Sequence, residues 1–534
     1  MYTTRNKKSR GKALFKENNK HKNQGLFSIK NTLPKNLLRE YNKSWSKSFY
    51  ENVFCQIDET ILDILFSKNY SRPNTPVNIY IALEILKEDF GLSDEELLRR
   101  FHFDTLFMLA MGIEQIGEAT ISPRAFYYMR YRIVKYEIET GKKLLDTVFK
   151  SINEKYIKKF NIDKKQKRID STLIGSNIRR LSRIKLFIEV LRNFLRTLDN
   201  KHLRKVVKKI KDYRDIDVEN FVYKLSKEDS KIKENEFAEY LYKIKWIFEK
   251  DEVIRNTKEY KLVERVVNEH LNIDENKKVE LKSYSELKSG SLQSPYDPDA
   301  TYRKKRGKQS IGYSVTAVET CSKDNNLQLI TDVFTDKNNV DDAKILANNF
   351  DKICDSGTEE IIADGGYSSS EVREKSKKKG VTVITTAIQG KKIKPNASHF
   401  VVKDGKLIRC SHGKIPINQI ADDDKITAFF SHESCIDCPF DCKIAKNKKK
   451  PNRLVLTKIN IEADEQREKF TDREYLRKCR LRPAVEGTMF QLKLHLRNNK
   501  SRFRGQVKIH ARNVLRAMSI NFKRAFAASS RAII

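Results

Sequence analysis

The chain has 534 residues, and its 107 Lys and Arg against 71 Asp and Glu give a formal charge of +36. That imbalance favours a polyanionic partner, nucleic acid first, and the length allows two to four domains. No run of about 20 apolar residues offers a transmembrane helix. The N-terminus, Met1-Tyr-Thr-Thr-Arg-Asn-Lys-Lys8, lacks the apolar core of a secretory signal, so a cytoplasmic location is expected, with no membrane partner.

Residues 1–30 are polar and basic and read as a disordered arm. From 31 to 160 the pattern is helical. Asn78 to Lys87 and Ser93 to Phe101 carry apolar residues at about 3.6 spacing, and Ser93 with Glu96 forms a capping box. Ala125 to Arg132 interleaves aromatic and basic residues. That pattern suits a helix meeting DNA, with Arg124, Arg130 and Arg132 reaching out, and equally a core helix whose arginines are exposed. Arg168 to Ile174 is β-branched and apolar and reads as a strand bearing Asp170. Residues 181–293, rich in Lys and Glu with helical apolar spacing, read as a helical insertion after that strand.

Strands and helices then alternate. Ile311 to Thr320 and Leu327 to Phe334 predict a hairpin, and Asp341 to Ile353 a helix. Glu360 to Asp364 is an apolar strand ending on an acid, followed by Gly365 and Gly366. Ligand sites of α/β sheets sit at the carboxyl ends of strands, and the glycines would let the backbone turn sharply and approach a ligand. A basic helix to Lys379 and a strand from Val381 to Thr386 follow. The order of elements matches a ribonuclease H-like α/β core.

Cys410, Cys435, Cys438 and Cys442 cluster within a proposed insertion at 391–455. Reduced thiols at this spacing point to a structural Zn²⁺ site, with His412 or His432 as possible substitutes for one ligand, or to a small loop with free thiols. Further on, Arg482-Pro-Ala-Val-Glu486 to Lys493 predicts a helix with Pro483 in its first turn. Glu486 lies about 40° round that helix from Arg482, and Lys493 about 20° from Glu486. One carboxylate thus sits on a face flanked by two cations, a pattern shared by surface ion-pair helices and by sites that hold a metal beside a phosphate.

Taken together, Asp170, Asp364 and the helix with Arg482, Glu486 and Lys493 resemble the Asp-Asp-Glu (DDE) transposases of bacterial insertion sequences, of the Tyr-Arg-Glu-Lys signature type. The signature's Tyr position is Cys479 here, with Tyr475 one turn earlier. Pro295 to Ala300, Gly307 to Tyr313, Arg502-Phe-Arg-Gly505 and Ala517 to Arg524 are similar to other parts of the catalytic domain. Tyr70-Ser-Arg-Pro73, Gly91 to Asp94 and Ile121 to Phe126 resemble the InsH-like N-terminal domain of the same proteins.

The resemblance implies a helical DNA-binding domain at 31–160 and a ribonuclease H-like catalytic domain at 161–534, interrupted by the two insertions. It implies Asp170, Asp364 and Glu486 as ligands for Mg²⁺ or Mn²⁺, since hard carboxylate oxygens suit those ions. Arg482, Lys493, Arg502, Arg504, Arg124 and Arg130 would contact DNA. It further implies cleavage at terminal inverted repeats and strand transfer into target DNA, by at least a homodimer, associated with the nucleoid. A structure-selective nuclease, or a silent or repurposed DNA-binding protein, would carry the same fold.

Overall fold

The computed structural model describes residues 15–22, 28–66, 74–305, 307–354, 357–387, 399–422, 425–436, 438–439 and 451–531. Tyr70-Ser-Arg-Pro73, Cys442 and most of the basic arm lie outside these residues.

The N-terminal part is helical. Helix α1 (Val77–Phe90) is buried on nearly every side, which is why its apolar residues fill more than one stripe. Helix α2 (Asp94–Phe103) starts where Ser93 Oγ accepts the Glu96 amide, the first half of the expected capping box. Helices α3 (Pro123–Thr140) and α4 (Leu144–Phe160) follow, the first capped by Ser122 with Pro123 in its opening turn.

Strand β1 (Gln166–Gly175) is followed by α5 (Arg183–Thr197), α6 (Lys227–Phe248) and α7 (Lys258–His270), which pack together. Phe187, Leu191 and Phe194 of α5 meet Phe237, Leu241 and Ile244 of α6 and Val263 and Val267 of α7 in a core of their own. The spacings are those of one helical face each.

His270 closes α7 with its ring edge-on to Phe187, and neither ring nitrogen has a hydrogen-bond partner among the described residues. Burial first, then the charges of Arg183, Lys282 and Arg265, push its pKa from 6.5 down to about 4. A folded-state value below the unfolded one means stability that is present above pH 6.5 and lost as pH falls through about 4. The whole effect is about 3 kcal/mol. Urea melts at pH 7 and pH 4 should show wild type losing about that much more than a His270→Phe variant.

The central sheet is mixed. Its strands run β2 (Thr301–Lys305), β3 (Lys308–Thr320), β1, β5 (Glu360–Ala363), β6 (Thr382–Thr385), and β4 (Ile330–Lys337) also pairs with β3. β1 is antiparallel to β3 and parallel to β5, and β5 is parallel to β6. Between β4 and β5 lies α8 (Asp342–Ile353), and between β5 and β6 lies α9 (Ser370–Lys379). Leu346, Ala347 and Phe350 of α8 cover Ile169, Val318 and Ile361 on one sheet face.

The described part of the cysteine-bearing segment contains β-structure, with Cys410 just past a strand and Cys435 ending a 3₁₀ turn. It holds a hairpin (Val401–Lys403, Lys406–Arg409) and a three-stranded antiparallel sheet (Asn418–Asp422, Lys425–Phe430, Asn452–Thr457) around Leu407, Ala428 and Leu456.

Helices α10 (Arg473–Cys479), α11 (Val485–Lys493) and α12 (Gln506–Arg531) complete the chain. The largest apolar cluster runs from Phe49 through α1, α3 and α4 to Val315, Val485, Met489 and Ala525. The N-terminal helices therefore share a core with β3, α11 and α12.

Candidate active site

The register of the parallel pair sets two acids side by side. Arg168 of β1 pairs with Ile362 of β5, so two residues further Asp170 stands opposite Asp364, just past the end of β5. Side chains alternate along a strand, so both acids leave the sheet on the face opposite Ile169 and Ile361. Asp170 is buried and accepts the Ser171 amide at 2.8 Å. Burial raises its pKa, and the nearby Arg482 opposes that shift.

Asp364 caps the short turn Gly365–Tyr367 by accepting the Gly366 amide at 2.8 Å. The glycines serve the fold more than a ligand. A Cβ on Gly365 would come within 2.6 Å of the Ala387 carbonyl oxygen, so only glycine lets these two backbone segments meet.

Glu486 enters from α11. The helix begins at Val485, and Arg482 and Pro483 occupy a 3₁₀ turn before it. Arg482 still meets Glu486, as the i,i+4 spacing predicts, and also reaches the sheet. Its guanidinium lies 2.6 Å from Glu486, 2.8 Å from Asp170 and 3.8 Å from Asp364. One cation thus touches three carboxylates brought from β1, the end of β5 and α11.

A second ion pair fixes this meeting. Glu319 of β3, fully buried, accepts from Arg168 of β1 at 2.6 Å, Thr488 of α11 at 2.6 Å and Arg524 of α12 at 2.8 Å. It ties the strand of Asp170 to the helix of Glu486.

Residues 410–526 match a family model described as Transposase DDE domain. The match supports a DDE transposase. It covers Arg482, Glu486 and Lys493 and begins beyond Asp170 and Asp364. No curated protein and no solved structure matches the chain.

The other cations expected to meet DNA divide into two groups. Lys493 lines a groove of about 460 Å³, with Thr172 of β1, Arg180, Lys308 and Lys500 also on its walls. Lys493 forms no ion pair among the described residues. Arg124 is exposed at the start of α3, and Tyr127, Tyr128 and Tyr131 are exposed on the same helix.

Arg130 points the other way. It pairs with Glu84 at 2.8 Å and Asp94 at 2.9 Å and stacks on Phe126 and Phe503. Its place on the stripe of Phe126, Ile133 and Glu137 is the sequence signal for an inward side chain.

Arg502 is exposed but donates to the carbonyls of Gly91 and Leu92, bracing the turn after α1. Arg504 donates to the Asn177 carbonyl at 2.8 Å and lies over the Tyr296 ring. Tyr475 is buried, exchanging hydrogen bonds with the backbone of Thr385, and Cys479 lies beside the same carbonyl. Both therefore dock α10 on the end of β6.

Among the described residues, no three His, Cys, Asp or Glu side chains gather closely enough to hold a metal ion. Between the three acids the space is taken by Arg482. Cys410 and Cys435 pack against the small sheet, and Cys410 Sγ accepts the Lys414 amide at 3.3 Å. Cys442, the fourth thiol of the expected zinc set, lies outside the described residues. No described helix is long and apolar enough to cross a membrane.

Proposed function

We propose that the protein is a transposase that cuts DNA at the ends of its own mobile element and joins them to target DNA, with Asp170, Asp364 and Glu486 as its acids. The observation that carries this reading is the single guanidinium in contact with all three carboxylates. The antiparallel run β4-β3-β1, followed by parallel β5 and β6, supports a ribonuclease H-like core.

The donor set fits divalent cations. All three groups are hard oxygen donors suited to Mg²⁺ or Mn²⁺, and their cluster already accommodates one positive charge. The ions, when bound, supply activation of the attacking oxygen and stabilisation of the leaving one. The chain's own residues do the rest. Glu319 holds β1 against α11, so the acids from separate elements stay together. Arg482 has a buried Nε without a hydrogen-bond partner among the described residues, and its guanidinium neutralises the acids until a DNA phosphate draws it away. Lys493 and the groove beside it hold the backbone of the element's end. Joining two ends requires two active sites in one assembly, so the working form is a dimer or larger.

The deciding experiment incubates the full chain with Mg²⁺, a supercoiled target and linear DNA carrying the element's terminal repeats. Joined products support transposition. Cutting without joining would make it a nuclease, and binding alone a silent DNA-binding protein.

Replacing Lys493 by Ala should weaken binding to the terminal repeats. It should also reduce the slope of log K against log salt by about 1, because each phosphate contact releases counterions. Fluorescence anisotropy at four salt concentrations measures both.

A further inference from the structure

We propose that Asp342 is a fourth carboxylate of the cation-binding centre, held there by Ser171. The proposal rests on the transposase reading of Asp170, Asp364 and Glu486. Asp342 is the first residue of α8 and only 8% exposed. It reaches the cluster round the end of the sheet. Its Oδ1 accepts the Ser171 hydroxyl at 2.7 Å, and the Ser171 amide donates to Asp170 at 2.8 Å. One residue thus orients both acids.

The other oxygen of Asp342 faces Asp364 across Gly366. A Cβ on that glycine would lie 3.7 Å from Asp342 Oδ2 and 3.0 Å from Asp364 Oδ1. The two oxygens are therefore within about 7 Å, a gap that two divalent ions some 3.5–4 Å apart, with oxygen bonds of about 2.1 Å, can span.

Two observations point to a cation site here. A buried carboxylate is costly unless paired, yet Arg482 reaches the other three acids and Asp342 forms no ion pair among the described residues. Next to it, the fully buried hydroxyl of Tyr367 has no hydrogen-bond partner among the described residues. Its surrounding charges are Asp342, Asp170 and Asp364, and the neighbouring Ser171 hydroxyl gives its own proton to Asp342. A hydrated cation among these acids would supply both deficits.

An acid in the first turn of a helix is also favoured by the helix dipole alone, so the test must separate charge at a helix end from charge at a cation site. Mn²⁺ binding to the full chain is followed by electron paramagnetic resonance, without DNA and without turnover. Asp342→Asn keeps the acceptor for Ser171 and the shape of the turn. It should weaken Mn²⁺ binding by about 10- to 100-fold, the size of effect seen when groups supporting a metal site are removed. Asp342→Glu should stay within a few-fold of wild type, and this second variant keeps the test open if the Asn form folds poorly.

Melting in EDTA gives the second readout. If Asp342→Asn behaves as the proposal requires, its melting point in EDTA is unchanged or raised while the increment given by Mn²⁺ shrinks. Mn²⁺ affinity equal to wild type in Asp342→Asn, with loss in Asp364→Asn, would overturn the role of Asp342 and leave the transposase reading intact. A wild-type chain that binds no Mn²⁺ would overturn both.

Discussion

Replacing Glu486 by Gln should cut DNA cleavage and strand transfer by more than about 100-fold, beyond the upper range for losing a group that merely supports a metal ligand. The substitution keeps the length and helix propensity of the side chain and removes only the charge. Glu486 is well exposed and contributes little to packing, so the fold should survive. Binding to the terminal repeats should persist, because the cations of the groove are untouched. Gel shift and product analysis on one protein preparation separate the two effects. Retained metal-dependent cutting would mean that another carboxylate fills the role. Glu474 would be the next to test, although it is exposed and paired with Lys478 on the neighbouring helix.

Much of this arrangement is legible in the sequence because it rests on local signals. An apolar β-branched run on both sides of an acid announces β1, and an apolar run ending in Asp-Gly-Gly announces β5. The helical faces of α5 and α6 follow from apolar spacing. What is not legible depends on partners distant in the chain. Strand Thr301–Lys305 is short and carries three basic residues, and it exists because β3 runs long enough to pair with it. The small sheet of Asn418–Thr457 has strands of five or six residues whose burial pattern emerges only on assembly.

Arginines are the hardest to read. Arg130, Arg482 and Arg502 read as candidates for a phosphate, and Arg168 and Arg512 carry no local sign of their partners. Yet in the fold their guanidinium groups are spent on carboxylates and carbonyls. A long amphipathic side chain can bury its stem and choose its partner late. Composition therefore overstates how many cations face DNA. Asp342 escapes for the converse reason. As one acid opening a helix it resembles an ordinary first-turn residue, and only the return of α8 across the end of the sheet brings it to Asp364.

Replacing Arg512 by Ala should destabilise the whole chain by about 3–5 kcal/mol, the usual cost of leaving a buried charge without its partner. Arg512 lies on α12 and is 3% exposed, and its Nε donates to Glu88 of α1 at 2.8 Å. Its other nitrogens donate to the carbonyls of Leu492 at 2.7 Å and Leu494 at 3.3 Å. Those carbonyls end the helix of Glu486, where the last turn has no intrahelical donors. Alanine would strand Glu88 and uncap α11 in one step. The neighbouring Arg516 cannot compensate, because it already donates to the backbone of Glu88 and Gln491.

Removing both charges, with Arg512→Met and Glu88→Leu, should cost less than the sum of the single changes, since no unpaired charge then remains. Chemical denaturation of the four proteins gives the coupling directly. Additive losses would mean that the pair does not join α1 to α12. In that case the capped carbonyls would be the source of the effect. Because α11 carries Glu486, the single variant should also lose Mg²⁺-dependent cutting at temperatures where it is still folded, and the double variant should recover part of it.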